Sequence, residues 1–245
     1  MKIAVRIAET AVPPWVVIAC LCRHGRQVGQ ASRLSKGDFQ VKNREIEKRS
    51  FEIISEEVDF SDVSKEHLPV IKRVIHATAD FEFKKTLIFH ANAIKIGIHS
   101  IRSGKDILTD VEMVKTGINK KMIAKWGGKI ICDILDSDQT PKNKTRAEMG
   151  IESALHENTN IGIITIGNAP TALLKTIELL NSPNSPFAHS PVLVVGVPVG
   201  FVKALESKRL LATQNFPFIT NLSRKGGTPV AVAIVNALLK IANGM

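Results

Sequence analysis

Two stretches, "IGIITIG" (Ile161–Gly167) and "PVLVVGVP" (Pro191–Pro198), are apolar at nearly every position and are bounded by Gly, Pro or Asn. A strand with one wet face alternates apolar and polar residues. An unbroken short apolar run between chain-breaking residues is what a strand covered on both faces needs. "GGKIICDIL" (Gly127–Leu135) reads the same way, and "TLIF", "DILTD" and "PFIT" read as shorter strands, the second ending on Asp110. Between and around these runs lie helical patterns: "HLPVIKRVIHA", "ANAIKIGIHSIRSG" stopped by Gly104, Thr145–Asn158, Pro170–Asn181, Gly200–Leu211 and the closing "TPVAVAIVNALLKIAN". That last helix is almost wholly apolar and is expected to be buried. Strand–helix alternation with doubly buried strands predicts a single α/β domain. A mostly parallel central sheet carries helices on both faces, a Rossmann-like three-layer arrangement with right-handed crossovers.

At 245 residues the chain is long enough for one sizeable core, placed over residues 44–245 and preceded by a basic, irregular extension over 1–43. The formal net charge is +10, but it is unevenly spread: residues 1–49 hold ten Lys/Arg against four Asp/Glu. The other 196 residues carry 23 basic and 19 acidic groups, a surplus of only four. A folded body so mildly basic suits a small polyacid better than a nucleic acid, which calls for a basic stripe. Aromatic residues are 5% of the chain and tyrosine is absent, so base stacking is a poor means of binding here. Cys20, Cys22 and Cys132 form neither a disulfide framework nor a zinc pattern, which points to a reducing, cytoplasmic compartment and to no metal site. Lys2 and Arg6 before "AVPPWVVIACLC" imitate a signal peptide. Glu9, the Pro13–Pro14 pair and the lack of a small-residue cleavage site count against one, and twelve residues cannot cross a bilayer as a helix.

In open parallel sheets ligands bind beyond the carboxyl ends of the strands. Three turns fall there: "GNAPTA" (Gly167–Ala172), "GVPVGF" (Gly196–Phe201) and "SRKGGTP" (Ser223–Pro229). Each leads toward a helix N-terminus, whose free N–H groups and positive dipole end suit a carboxylate or phosphate. Asn168, Ala169, Thr171, Gly200, Arg224, Gly226 and Gly227 are the candidates they supply. None of the turns is a dinucleotide or P-loop fingerprint, and each taken alone is also an ordinary strand-to-helix connection. Arg146, opening the helix "TRAEMG", offers a guanidinium fork for a carboxylate or is simply a surface arginine.

Ile46, Ile54 and Val58 recur at helical spacing, which puts Ser50 on the inward face of that helix, as pocket hydroxyl or small packing residue. In "RVIHATAD" (Arg73–Asp80) His76 follows Arg73 by three residues, so on a helix both project to one side, with Thr78 close behind. Imidazole titrates nearest neutral pH and can deliver a proton without extreme tuning, although a guanidinium beside it disfavours its charged form. The residues alone leave His76 open between packing and proton donation.

"RSFEII", "RVIHATAD", "TDVEMVKTGI", "TRAEMGIE", "IGNAPTALLK", "GVPVGFVKALESK" and "RKGGTPVAVAIVNALL" occur together and in that order. In these motifs the chain resembles the precorrin-8X methylmutase family, which also acts as cobalt-precorrin-8 methylmutase in cobalamin biosynthesis, from about Arg44 to Ala242. The resemblance implies a cofactor-free isomerase, working as a homodimer on a tetrapyrrole polycarboxylate, with any cobalt carried in the macrocycle. It implies a 1,5-sigmatropic shift of a methyl group from ring carbon 11 to carbon 12. The family's histidine falls on His76, and its substrate-contacting serine and arginine fall on Ser50 and Arg73. A non-catalytic tetrapyrrole carrier on the same fold is the alternative reading; nucleic acid and membrane are not expected as partners.

Overall fold

The structure is a computed structural model that describes residues 43–133, 144–183, 185–187 and 191–244. The basic extension, apart from its last residue, lies outside the described residues, as do Cys20 and Cys22. The elements run in order α1 (Asn43–Glu57), α2 (Leu68–Thr78), α3 (Phe83–Thr86), β1 (Leu87–Phe89), α4 (Ala93–Arg102), β2 (Asp106–Thr109), α5 (Glu112–Gly117), α6 (Lys120–Ala124) and β3 (Ile130–Ile131). They continue with α7 (Arg146–Glu157), β4 (Ile161–Ile166), α8 (Pro170–Leu180), β5 (Leu193–Gly196), α9 (Ala204–Ala212), β6 (Phe218–Asn221) and α10 (Thr228–Ala242). The sheet and the helices packed on it belong to one compact unit, Glu47–Met245.

The six strands order as β1-β6-β5-β4-β2-β3. All neighbouring pairs are parallel except β1 with β6, an antiparallel edge. β4 is buried along its whole length, as its unbroken apolar run requires. Residues alternate between two cores. Ile107, Ile163, Leu193 and Ile219 face a core shared with α2, α4 and α10, whereas Leu108, Ile164, Val194 and Phe218 face one shared with α7, α8 and α9. Three layers result. After β2 the chain goes outward to β3, and after β4 it goes the other way to β5, so the winding reverses between β2 and β4. The crevice for a ligand in such a sheet opens beyond the carboxyl ends of those two strands.

Several expectations need correcting. The strand read over "GGKIICDIL" contracts to Ile130–Ile131, with residues from 134 outside the description. The helix read from Gly200 begins at Ala204, because Gly200 takes φ 149° and Lys203 takes the left-handed φ 59°, neither of which a helix accommodates. On α1 Ser50 and Ile54, with Val58 just beyond its end, turn inward as expected, together with Glu47 and Phe51, but Ile46 is 53% exposed. α10 is not buried all round either. Val232, Asn236 and Lys240 form a half-exposed stripe along one side, four residues apart.

Candidate active site

α2 buries Val70, Ile71, Val74 and Ile75 against α10 and the sheet. The same helical phase leaves Arg73, His76 and Ala77 on the flank, where they line a cavity of about 340 Å³. Its other wall is the half-exposed stripe of α10, from Pro229 through Val232 and Asn236 to Lys240, closed by Asn119 and Met122. At 1.5 Å per residue that stripe runs about 16 Å.

His76 lies in the last turn of α2, half-buried, with its ring stacked on Phe51 at 5.1 Å between centroids. The Arg73 guanidinium stands 4.7 Å from the centre of the same ring. Glu47, one turn before Phe51 on α1, accepts from Arg73 Nη1 at 2.6 Å and from Lys240 Nζ at 2.8 Å through the same oxygen, Oε1. The two cations hold its pKa down at about 2. Burial, and then the Arg73 charge, hold the His76 imidazole below its ordinary value; Glu47 opposes them and Lys240 adds to them. The imidazole is thus pressed toward its neutral form, beside two cations joined through one carboxylate.

Ser50 is half-buried on α1 next to Phe51. Thr78 turns its hydroxyl back to donate to the Val74 carbonyl at 2.8 Å. Gly200, Arg224, Gly226 and Gly227 gather into a second cluster beyond β5 and β6. There the Gly200 N–H donates to the Arg224 carbonyl at 3.2 Å and the Gly227 N–H to the Val197 carbonyl at 2.8 Å. Gly226, at φ 149°, packs so closely that a Cβ would overlap the Val197 carbonyl oxygen. Arg224 is exposed, over the Phe201 ring at 5.7 Å. Lys225 ties this loop to the end of α2 through Asp80 at 2.7 Å and Glu82 at 2.6 Å. Arg73 and His76 thus share one cavity, with the Arg224 loop tethered just beyond it.

The third cluster lies at the N-termini of α7 and α8, in the other helical layer. Thr145 closes a capping box with Glu148 and places its hydroxyl 2.7 Å from that of Thr171, beside an exposed Arg146. Here the expectation of free N–H groups at "GNAPTA" is corrected. The carboxylate of Asp110, at the end of β2, already accepts from the N–H groups of Gly167, Asn168 and Ala169 at 3.1, 2.7 and 2.8 Å. The nest holds an anion, and the anion is internal. Burial raises the Asp110 pKa above its ordinary value, and these bonds offset part of that rise.

Sequence reasoning missed Glu47, Phe51, Lys240 and the buried Lys208. Lys208 is fully buried on α9, its Nζ donating to the Lys225 carbonyl at 2.7 Å and to Asn221 Oδ1 at 3.3 Å. Burial pulls its pKa from 10.5 to about 8. The folded state therefore binds fewer protons than the unfolded chain between pH 8 and 10.5, and stability rises with pH through that window. Lys208→Met is expected to lose that rise, which thermal melts across the window would measure. Among the described residues no group of three or more His, Cys, Asp and Glu is placed to hold a metal ion.

Comparison with known proteins places this architecture among the methylmutases, isomerases that move a methyl group within one molecule. A family model described as precorrin-8X methylmutase matches residues 45–241. A cobalt-precorrin-8 methylmutase from Priestia megaterium is 46% identical over 207 residues, covering 83% of this chain and 90% of the relative. One from Salmonella typhimurium is 41% identical, covering 79% and 93%. A precorrin-8X methylmutase crystal structure from Thermus thermophilus superposes with a TM-score of 0.70 at 35% identity, covering 81% of this chain and 98% of that one. The chain belongs to the precorrin-8X methylmutase family.

Proposed function

We propose that this protein moves the methyl group on carbon 11 of precorrin-8X, or of cobalt-precorrin-8, to carbon 12, giving hydrogenobyrinate or cobyrinate. His76 is its general acid. The observation that carries this reading is the half-buried imidazole of His76 on the wall of an open cavity, flanked by Arg73 and Lys240. Protonation at or near a pyrrole-type nitrogen draws electron density from the π-system and lowers the barrier to migration. The bond from carbon 11 to the methyl breaks as the bond to carbon 12 forms, and the proton then returns, so the reaction is an isomerisation with no net exchange of atoms. Proton transfer accounts for ~10²–10⁴-fold. Holding the macrocycle in migrating geometry supplies the rest.

The substrate's several carboxylates meet Arg73 in the cavity and Arg224 beyond it, with the Ser50 hydroxyl and the Gly226 backbone as neutral contacts. The Thr78 hydroxyl and the Gly200 and Gly227 N–H groups are committed to the Val74, Arg224 and Val197 carbonyls and offer only packing surface. Arg146 and Thr171, with the Asn168 side chain, take a more distant carboxylate; the Asn168 and Ala169 N–H groups are committed to Asp110. The protein acts as a cytoplasmic homodimer and needs no cofactor beyond the substrate itself; no helix among the described residues is long and apolar enough to cross a membrane. Incubation with the methylated precursor tests the reading: the corrin absorption spectrum should develop. Binding without that spectral change would make the protein a carrier instead. Arg73→Ala is expected to weaken product binding by ~1.5–3 kcal/mol, the worth of a charge-assisted hydrogen bond, measured as the dissociation constant for cobyrinate.

A further inference from the structure

The Arg73–Glu47–Lys240 arrangement has the form of a filled receptor. Two cations from different helices, α2 and α10, converge on one carboxylate oxygen, Glu47 Oε1, at 2.6 and 2.8 Å. Both cations line the cavity that His76 lines, whereas Glu47 reaches them from α1 and is not among the lining residues. Lys240 is the sole charged residue in the fifteen of α10. A lysine near a helix C-terminus is favoured by the dipole, but that does not require it to turn toward Arg73. The Glu47 side chain keeps 37% of its surface in water, so a swing outward meets solvent and not a packed core.

We propose that Arg73 and Lys240 form a two-cation receptor for one carboxylate side chain of the macrocycle, and that Glu47 occupies it in the free protein and is displaced on binding. This rests on the tetrapyrrole reading above. A carboxylate replacing a carboxylate leaves the local charge unchanged, so neither cation is stranded in a half-buried site at any stage. The exchange also selects: a ring lacking an acid at that position has nothing to offer in Glu47's place. A permanent strut would behave differently, since Glu47 would then hold Arg73 in position and its loss would weaken binding.

The test is titration of wild type, Glu47→Gln, Glu47→Ala and Lys240→Met with cobyrinate, alongside the same ring with its carboxylates converted to amides. Removing an internal competitor should tighten cobyrinate binding by about tenfold in both Glu47 variants, and losing one cation should weaken it by about tenfold in Lys240→Met. The amidated ring should not distinguish wild type from Glu47→Gln. Unchanged or weaker cobyrinate binding in both Glu47 variants overturns the displacement, as does equal tightening toward the amidated ring. If the wild type itself binds no corrinoid, the tetrapyrrole reading falls and the receptor with it.

Discussion

His76→Asn is expected to bind cobyrinate almost as the wild type does and to lose turnover by ~10²–10⁴-fold, the span that general acid catalysis commands. Asparagine keeps a polar, planar side chain against Phe51, so the cavity wall survives. It has no proton to give near neutral pH, so the chemistry does not. Single-turnover formation of the corrin spectrum, measured beside the dissociation constant, separates the two effects; full activity in the variant removes His76 from the mechanism. The electrostatics sharpen the expectation. In the free protein, burial, Arg73 and Lys240 all press the imidazole toward its neutral form, and Glu47 opposes them. The form needed is the protonated one, so kcat/KM should fall as pH rises through a value below the ordinary 6.5. A substrate carboxylate that takes Glu47's place on the two cations leaves the charge around the imidazole unchanged, so the fall in kcat, which reports the complex, should come close to the fall in kcat/KM.

The parts of this molecule legible in the sequence are those whose physics is local. β4 and β5 announce themselves because burial on both faces leaves them almost wholly apolar, Thr165 being the one polar residue in the two. The relation of Arg73 to His76 follows from helical spacing alone. What was not legible depends on elements that meet only in the folded chain. Summed over its length α10 is apolar, and the sum hides that Asn236 and Lys240 lie one turn apart on one half-exposed side. The pairing of Glu47 with Lys240 spans 193 residues, and nothing near either one foretells it. "GNAPTA" is recognisable as an anion nest, but its occupant comes from a strand end 57 residues earlier. Family resemblance brought Ser50, Arg73 and His76 forward together; it did not bring forward the residues that set their charge.

Asp110 is where the largest loss of stability is expected. It sits at the reversal point of the sheet, 2% exposed, and joins the end of β2 to the turn that starts α8. Asp110→Asn keeps the shape but replaces one acceptor oxygen with an NH₂ group, which must face N–H donors that point at it. A buried donor left without an acceptor costs ~1–3 kcal/mol. The NH₂ group affects one donor if it takes the Oδ1 side and two if it takes the Oδ2 side, so the expected destabilisation is about 2 kcal/mol or more, which for a chain of this size lowers Tm by roughly 4–8 °C. Asp110→Ala should lose as much by a different route, since it empties the nest instead of filling it with the wrong group. That difference gives the decisive measurement. An empty nest of three N–H groups at a helix N-terminus is an anion site, so formate, which matches the lost carboxylate, should raise the Tm of Asp110→Ala more than that of the wild type or of Asp110→Asn. Equal responses in all three proteins would mean that Asp110 is held for packing alone, and that the turn before α8 does not depend on a negative charge.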